Sequence, residues 1–331
     1  MIIPQSMRIL NINRDPKGLF ATQNQHMPAA QQNLFAALGL ETIDPILAVR
    51  TYQALLEMIC NDAKGIRSVQ QKEYARIRIT QHATNREISQ SISQPIAQQE
   101  IWNNFTKGLL LSRIATLTKK GYYVLRNKED TQATMLLIQQ LCKEPFWKTQ
   151  DKGMWGIEKK LHLCTLAACI AGLEQCDGMI KLSAHEQKQV REGRKIFARA
   201  FQHVLQQNEI DFSLLALIYP LNITTEKQSE HILRAVEGQL YRERGLIRFI
   251  GDGYEYKEGE AEWPVGFAWL ALIYKQLKNP VKHTFYVEKV LRTLNENNEL
   301  PELFFANTHF YNQVCPVVWG QSMLMAALTG R

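Results

Sequence analysis

From residue 98 onward the chain alternates between helical stretches that are apolar nearly all round and helical stretches that are amphipathic and charged. LHLCTLAACIAGLEQ (161–175) is of the first kind and AHEQKQVREGRKIFARAFQHVLQQ (184–207) of the second. The order repeats with DFSLLALIY (211–219) and TEKQSEHILRAVEGQLYRE (225–243), then with WPVGFAWLALIYKQL (263–277) and VKHTFYVEKVLRTLNEN (281–297), and ends on PVVWGQSMLMAAL (316–328). A helix apolar on every side has to be covered on every side, whereas a one-sided helix sits at the surface with its polar face in water. Strict alternation therefore dictates an inner layer of helices wrapped by an outer one, assembled from stacked helical hairpins. Further helices at 29–40, 44–62, 98–120 and 129–143 bring the number to about eleven. At about 25 residues per helix and connection, a closed ring of six hairpins accounts for the 331 residues.

The expected fold is thus all-α, an (α/α)6 toroid or six-hairpin barrel, forming one domain over residues 1–331 with short β-hairpin decorations. Extended pieces are expected at 7–12, 74–80 and 246–256, where LIRFIGDGYEY has the aromatics and glycines of a hairpin. The Ser/Gln-rich stretch 63–97 reads as a long polar connection within the domain, because the helices on either side of it need a common core.

Composition narrows the partners. With 45% hydrophobic and 21% charged residues, the chain has the make-up of an ordinary soluble globular protein. Its formal charge is +7, but the densest basic cluster, HEQKQVREGRKIFAR, mixes both signs at helical spacing. That is a solvated helix face, so no nucleic-acid partner is expected. No run of about 18 apolar residues exists, and MIIPQSMRILNINRDP lacks a basic segment followed by an apolar one, so neither a membrane partner nor secretion is expected and the location read is cytoplasmic. The six cysteines, at 60, 142, 164, 169, 176 and 315, mostly lie in apolar helical stretches and form no metal-ligand pattern; no metal and no cofactor are expected.

In a ring of this kind, loops at one end of the inner helices surround a pocket, and polar and aromatic residues just ahead of those helices line it. Three segments are of that type. GLIRFIGDGYEYKEGEAEWPVGFAWLALIY (245–274) brings Arg248, Asp252, Tyr254, Glu262 and Trp263; KGMWGIEKKLH (152–162) brings Trp155 and Glu158; NNELPELFFANTHFYNQVCPVVW (297–319) brings Glu299, Glu302, His309 and Trp319. Aromatic rings with an arginine and carboxylates around them suit a sugar, whose C–H faces stack on indole and phenol rings while its hydroxyls bond to charged groups. Two carboxylates flanking a glycosidic bond can serve as general acid and general base, roughly 6.5–9.5 Å apart in an inverting hydrolase. Each residue also has a structural reading: the tryptophans as core, Glu158 as a carboxylate favoured by a helix dipole, Asp252-Gly253 as a turn pair.

Four stretches together resemble the family 15 glycoside hydrolases, which include glucoamylase, and the related N-terminal domains of the phosphorylase kinase alpha and beta subunits. They are KGLFAT (17–22), GMWGIEKKLHLCTLAACIAGLEQ (153–175), 245–277, and ELPELF through PVVWGQSMLMAAL (299–328). The resemblance implies the same toroid and an ancestral inverting hydrolysis of terminal α-glucosidic bonds in an α-glucan or oligosaccharide. It implies Glu302 as general base, Arg248, Asp252 and Trp263 around the terminal glucose, and Trp155 as the tryptophan ahead of the general acid; Tyr254 and Trp319 join them as substrate-binding residues. The acid position itself is Gly156, with Glu158 two residues on as the substitute. The family's aromatic-x-Arg-Asp motif is replaced by QQNLFAALGLETID (31–44), and WNNFTKGLLL (102–111) lacks the expected carboxylate. The alternative function is a non-catalytic carbohydrate-sensing or regulatory scaffold, for which a protein partner is expected.

Overall fold

The computed structural model describes residues 2–21, 27, 29–63, 102–255 and 259–329. The extended piece at 74–80 and all but the first residue of the 63–97 connection lie outside them.

Six helices form the inner layer: α2 (Ala29–Leu40), α4 (Asn104–Lys119), α6 (Leu163–Asp177), α8 (Leu215–Ile218, entered through a 3-10 turn at Phe212–Leu214), α10 (Val265–Gln276) and α12 (Val318–Thr329). Six more cover them: α1 (Ile2–Ile12), α3 (Pro45–Ala63), α5 (Lys128–Lys143), α7 (Ala184–Gln207), α9 (Glu226–Gln239) and α11 (Pro280–Leu291). Burial follows the sequence pattern. Every residue from Val265 to Tyr274 in α10 and from Val318 to Ala327 in α12 is buried, whereas α7 buries only Gln189, Val190, Gly193, Phe197 and Phe201, the stripe of a one-sided helix.

Each inner helix packs on its neighbours in turn, and α12 packs back on α2, so the ring is closed. The expected (α/α)6 toroid is the observed fold. Closure depends on a close approach: a Cβ on Gly39 would collide with the backbone of Ser322, whose hydroxyl donates to the Ala36 carbonyl at 2.6 Å. Four of the outer helices start on side-chain caps, with reciprocal capping boxes at Ser183/Glu186 and Thr225/Gln228 and single caps at Asn127 and Asn279.

Residues 7–12, expected to be extended, belong to helix α1, the outer partner of α12. Ser6, Ile9 and Leu10 are its buried face, a helical spacing in a stretch too short and too mixed to declare its period by eye. The inner stretch 211–219 is also less regular than the alternation suggests, being a 3-10 turn followed by one helical turn. Among the described residues of 246–256 only isolated bridges form, Leu246 with Tyr241 and with Trp263 and Phe249 with Asp211, and the two-stranded ribbon found among the described residues lies further on, pairing β1 (Ala261–Glu262) with β2 (Phe304–Phe305).

Aromatic rings fill the middle of the ring. Phe35 of α2 meets Phe105 of α4 at 6.2 Å and both Trp269 of α10 and Trp319 of α12 at 5.5 Å between centroids. Phe212, ahead of α8, continues the plug against Trp269 at 5.9 Å. The toroid is therefore a filled core with a shallow end, and what lies above Phe212 forms the floor of that end.

Candidate functional site

Successive inner helices are joined through antiparallel outer ones, so all six run the same way. The segments ahead of α6, α10 and α12 consequently meet at one end of the ring. Backbone pairing fixes two of them together: Leu246 and Trp263 exchange hydrogen bonds at 2.8 and 3.1 Å, Ala261 donates to the Asp252 carbonyl at 2.8 Å, and the β1–β2 ribbon lays 304–305 against 261–262. A cavity of about 410 Å3 opens there, within the range of small-molecule sites. Trp155, Gly156 and Ile157 form one side of it; Arg248, Phe249, Asp252 and Tyr254 contribute the other.

On the second side a buried ion pair is the centrepiece. Arg248 and Asp252 are 3% and 1% exposed. The guanidinium donates from Nε to Oδ2 at 2.8 Å and from Nη2 to Oδ1 at 2.6 Å, the bidentate fork geometry that only arginine offers. Oδ2 also accepts from the Trp263 indole at 3.3 Å and from the Arg248 backbone at 3.3 Å, and Oδ1 from the Tyr254 backbone at 3.4 Å. Five donors on two oxygens use up the acceptor capacity of Asp252. Arg248 in turn lies over Tyr254 and Trp263, 4.5 and 4.9 Å from their centroids, and 5.7 Å from Trp155. Its Nη1 makes no hydrogen bond among the described residues. Asp252 thus holds Arg248 and Trp263 as one plate, and Arg248 is the polar group left to face a ligand.

The first side is a loop held from outside. Gln31 donates to the Met154 carbonyl at 2.8 Å and Asn103 to the Gly153 carbonyl at 2.9 Å, while Asp151 accepts from the Gly153 backbone at 2.9 Å and the Thr165 hydroxyl at 3.3 Å. Burial pushes the Asp151 carboxyl above its usual range, against the pull of those donors. Gly153 and Gly156 take the left-handed φ values of +60° and +70° that favour glycine, and His162 covers Gly153 so closely that a Cβ there would strike its ring. Trp155 meets Phe212 edge to face at 4.6 Å between centroids, and its buried indole N–H has no hydrogen-bond partner among the described residues. Glu158 does not join them. Its side chain is 68% exposed and pairs with Lys160 at 3.4 Å, outside the cavity lining.

Glu302 is buried, 1% exposed, two residues ahead of β2. Its Oε2 accepts from the Asn312 amide at 2.6 Å, and the same Nδ2 donates to Glu255 at 3.0 Å. One amide nitrogen therefore ties two carboxylates together. Tyr254 adjoins both: burial, and then the charges of Glu302 and Glu255, push its phenol above the ordinary range. Through Tyr254 the Glu302 region touches the cavity wall. Trp319, by contrast, is 1% exposed in the aromatic plug and does not line the cavity, and Trp263 backs the Arg248 plate. Glu262 accepts from the Arg244 backbone at 2.8 Å, and burial raises its carboxyl; His309 meets Arg244 at 3.1 Å.

Sequence reasoning did not single out Ile157, Phe249, Glu255 or Asn312. Ile157 and Phe249 adjoin residues that were chosen, so reading the whole segment as wall would have included them. Nothing in THFYNQ marks Asn312. The positions where the resemblance lacks its charged motifs, 31–44 and 102–111, carry amides that suspend the Trp155 loop.

No protein-family model and no curated protein matches the chain. Solved structures match over nearly its whole length. A wild-type glycosidase superposes with a TM-score of 0.69 at 15% identity, covering 98% of this chain and 95% of that one. A glycosidase variant in complex with glucose superposes at 0.68 and 14% identity with the same coverage. At such identity the likeness establishes the fold, a glycosidase-type toroid. Among the described residues, no helix is long and apolar enough to cross a membrane, and no group of three or more His, Cys, Asp or Glu is placed to hold a metal ion.

Proposed function

We propose that this chain is a diverged family-15-like carbohydrate-active protein whose pocket takes the terminal glucose-like ring of a glycoside. The observation that carries the reading is the Arg248–Asp252 pair, backed by Trp263, which lines the cavity with Tyr254 and Trp155, Tyr254 in turn adjoining the buried Glu302. A glycosidase neighbour with bound glucose supports it. Under this proposal the ring stacks on the aromatic groups and accepts from Arg248. If the bond is broken, it is broken with inversion: Glu302, held by Asn312, takes a proton from water as the water attacks the anomeric carbon, and Glu158 supplies the proton to the leaving oxygen.

One observation favours a second reading, a carbohydrate-sensing or regulatory scaffold without turnover. Glu158 is 68% exposed and paired to Lys160, and the acid position is Gly156. Misplacing an acid by about 1 Å already costs on the order of a hundredfold in rate. Calorimetric titration with maltose, followed by analysis of the released sugar, separates the readings. Release of β-glucose that stops in Glu302→Gln supports hydrolysis. Binding without release supports the scaffold, and absence of binding sinks both.

A further inference from the structure

The lining opposite Arg248 is apolar where a glycan-binding wall would be polar. Ile157 follows the acid position, lines the cavity, and is 51% exposed. Phe249 joins the lining from the other side, and the next residue, Ile250, is 64% exposed. The polar side chains of the lining are Arg248, Asp252 and Tyr254, and the oxygens of Asp252 are filled. The donor left to the cavity is Arg248, in a lining that carries Ile157 across from it and Phe249 beside it.

Resting on the sugar-pocket reading above, we infer that the ligand class is a hexose carrying an apolar aglycone, an aryl or alkyl glycoside, in preference to an α-linked oligosaccharide. The hexose oxygens accept from Arg248, and the aglycone covers Ile157 and Phe249. A second sugar ring in the aglycone's place would lay hydroxyls on Ile157 and Phe249, where they give up hydrogen bonds to water and gain none. An aryl or alkyl group removes the exposed isoleucine side chain from water instead, a gain of about tenfold or more in affinity.

The test is isothermal titration of the full chain with methyl α-glucopyranoside, phenyl α-glucopyranoside and maltose, repeated on Ile157→Ser. The expected result is a Kd for the phenyl glucoside about tenfold or more below those of the other two, with the preference collapsing to near unity in the variant. Ile157 sits in an exposed loop just after a turn, so the variant keeps its melting temperature. If maltose binds as tightly as the phenyl glucoside, or the phenyl preference survives Ile157→Ser, the inference is overturned while the sugar pocket stands. If none of the three binds, both fall.

Discussion

Two buried arginine–carboxylate pairs sit at opposite ends of the ring, and they differ in one nitrogen. At the closed end, beyond the C-terminus of α2, Arg113 donates from Nε to Glu41 at 2.8 Å and from Nη2 to the other carboxylate oxygen, while Nη1 reaches the Pro220 carbonyl at 3.3 Å. Tyr52 completes the set by donating to Glu41 at 2.7 Å. At the open end Arg248 makes the same fork with Asp252, but its Nη1 has no such partner among the described residues and the pair faces a cavity. A pair with every guanidinium nitrogen bonded is a structural pin. A pair with one nitrogen left over beside an opening is a structural pin and a recognition group at once.

The closed-end pair carries the largest expected effect. Glu41→Ala leaves a fully enclosed guanidinium without its counter-charge, which costs about 3–5 kcal/mol. Urea denaturation should show that loss, and sugar titration of the folded fraction should show none, since Glu41 lies at the far end from the cavity. A sugar-binding defect as large as the stability defect would break the division between the two ends.

Asp252→Asn tests the open end with a smaller perturbation. The side chain keeps its shape but loses its charge, and one of its two acceptor oxygens becomes an amide nitrogen that can only donate, so one arm of the fork is lost; hydrogen bonds to charged groups are each worth about 1.5–3 kcal/mol. The expected stability loss lies in that range. Here, unlike at Glu41, affinity for methyl α-glucopyranoside should fall as well, because Arg248 and Trp263 are no longer held as a plate. Unchanged affinity would make Asp252 a stability residue only.

These two ends also mark what was legible in the chain. The fold was readable because burial is a property of each helix's own composition: α10 and α12 are apolar all round and α7 is apolar along one stripe, whatever they touch. The Arg248 plate was readable for a related reason, since Arg248 and Asp252 are four residues apart in one loop and Trp263 returns to them along the Leu246 pairing. The other wall is made by distant partners. Gln31 and Asn103 act across 123 and 50 residues of sequence, and Arg113 reaches Glu41 across 72. No local period records such pairs. The helix α1 escaped notice because three buried residues in eleven are too few to set a period.

Tyr52→Phe probes the closed end through pH. Burial, and then the charge of Glu41, pushes the Tyr52 phenol well above the usual range in the folded state. A folded pKa above the unfolded value means that the folded chain holds its proton more tightly, so this contribution is complete below about pH 10 and is lost as pH climbs through the folded value. Removing the hydroxyl costs about 1 kcal/mol at neutral pH for the lost bond. It should also flatten the decline in stability above pH 10. Urea midpoints at pH 8, 10 and 11 read both quantities, and a decline as steep in the variant as in the parent would place the alkaline weakness elsewhere.

Glu158→Gln is the smallest perturbation in stability and the sharpest in meaning. The carboxylate is 68% exposed and its partner Lys160 56% exposed, so the ion pair is screened by water and its loss should shift stability by less than about 0.5 kcal/mol. If Glu158 donates the proton in a hydrolytic cycle, the same substitution costs about 10²–10⁴-fold in rate, because an amide has no proton to give. Stability and rate therefore separate cleanly at this position, as they do not at Asp252. Release of glucose from phenyl α-glucopyranoside, measured in parent and variant side by side, decides it. A loss of two orders of magnitude with an unchanged melting curve would mean that the turn at 156–160 carries Glu158 to the ligand. Equal rates would assign any turnover to Glu302 without a carboxyl acid at 158.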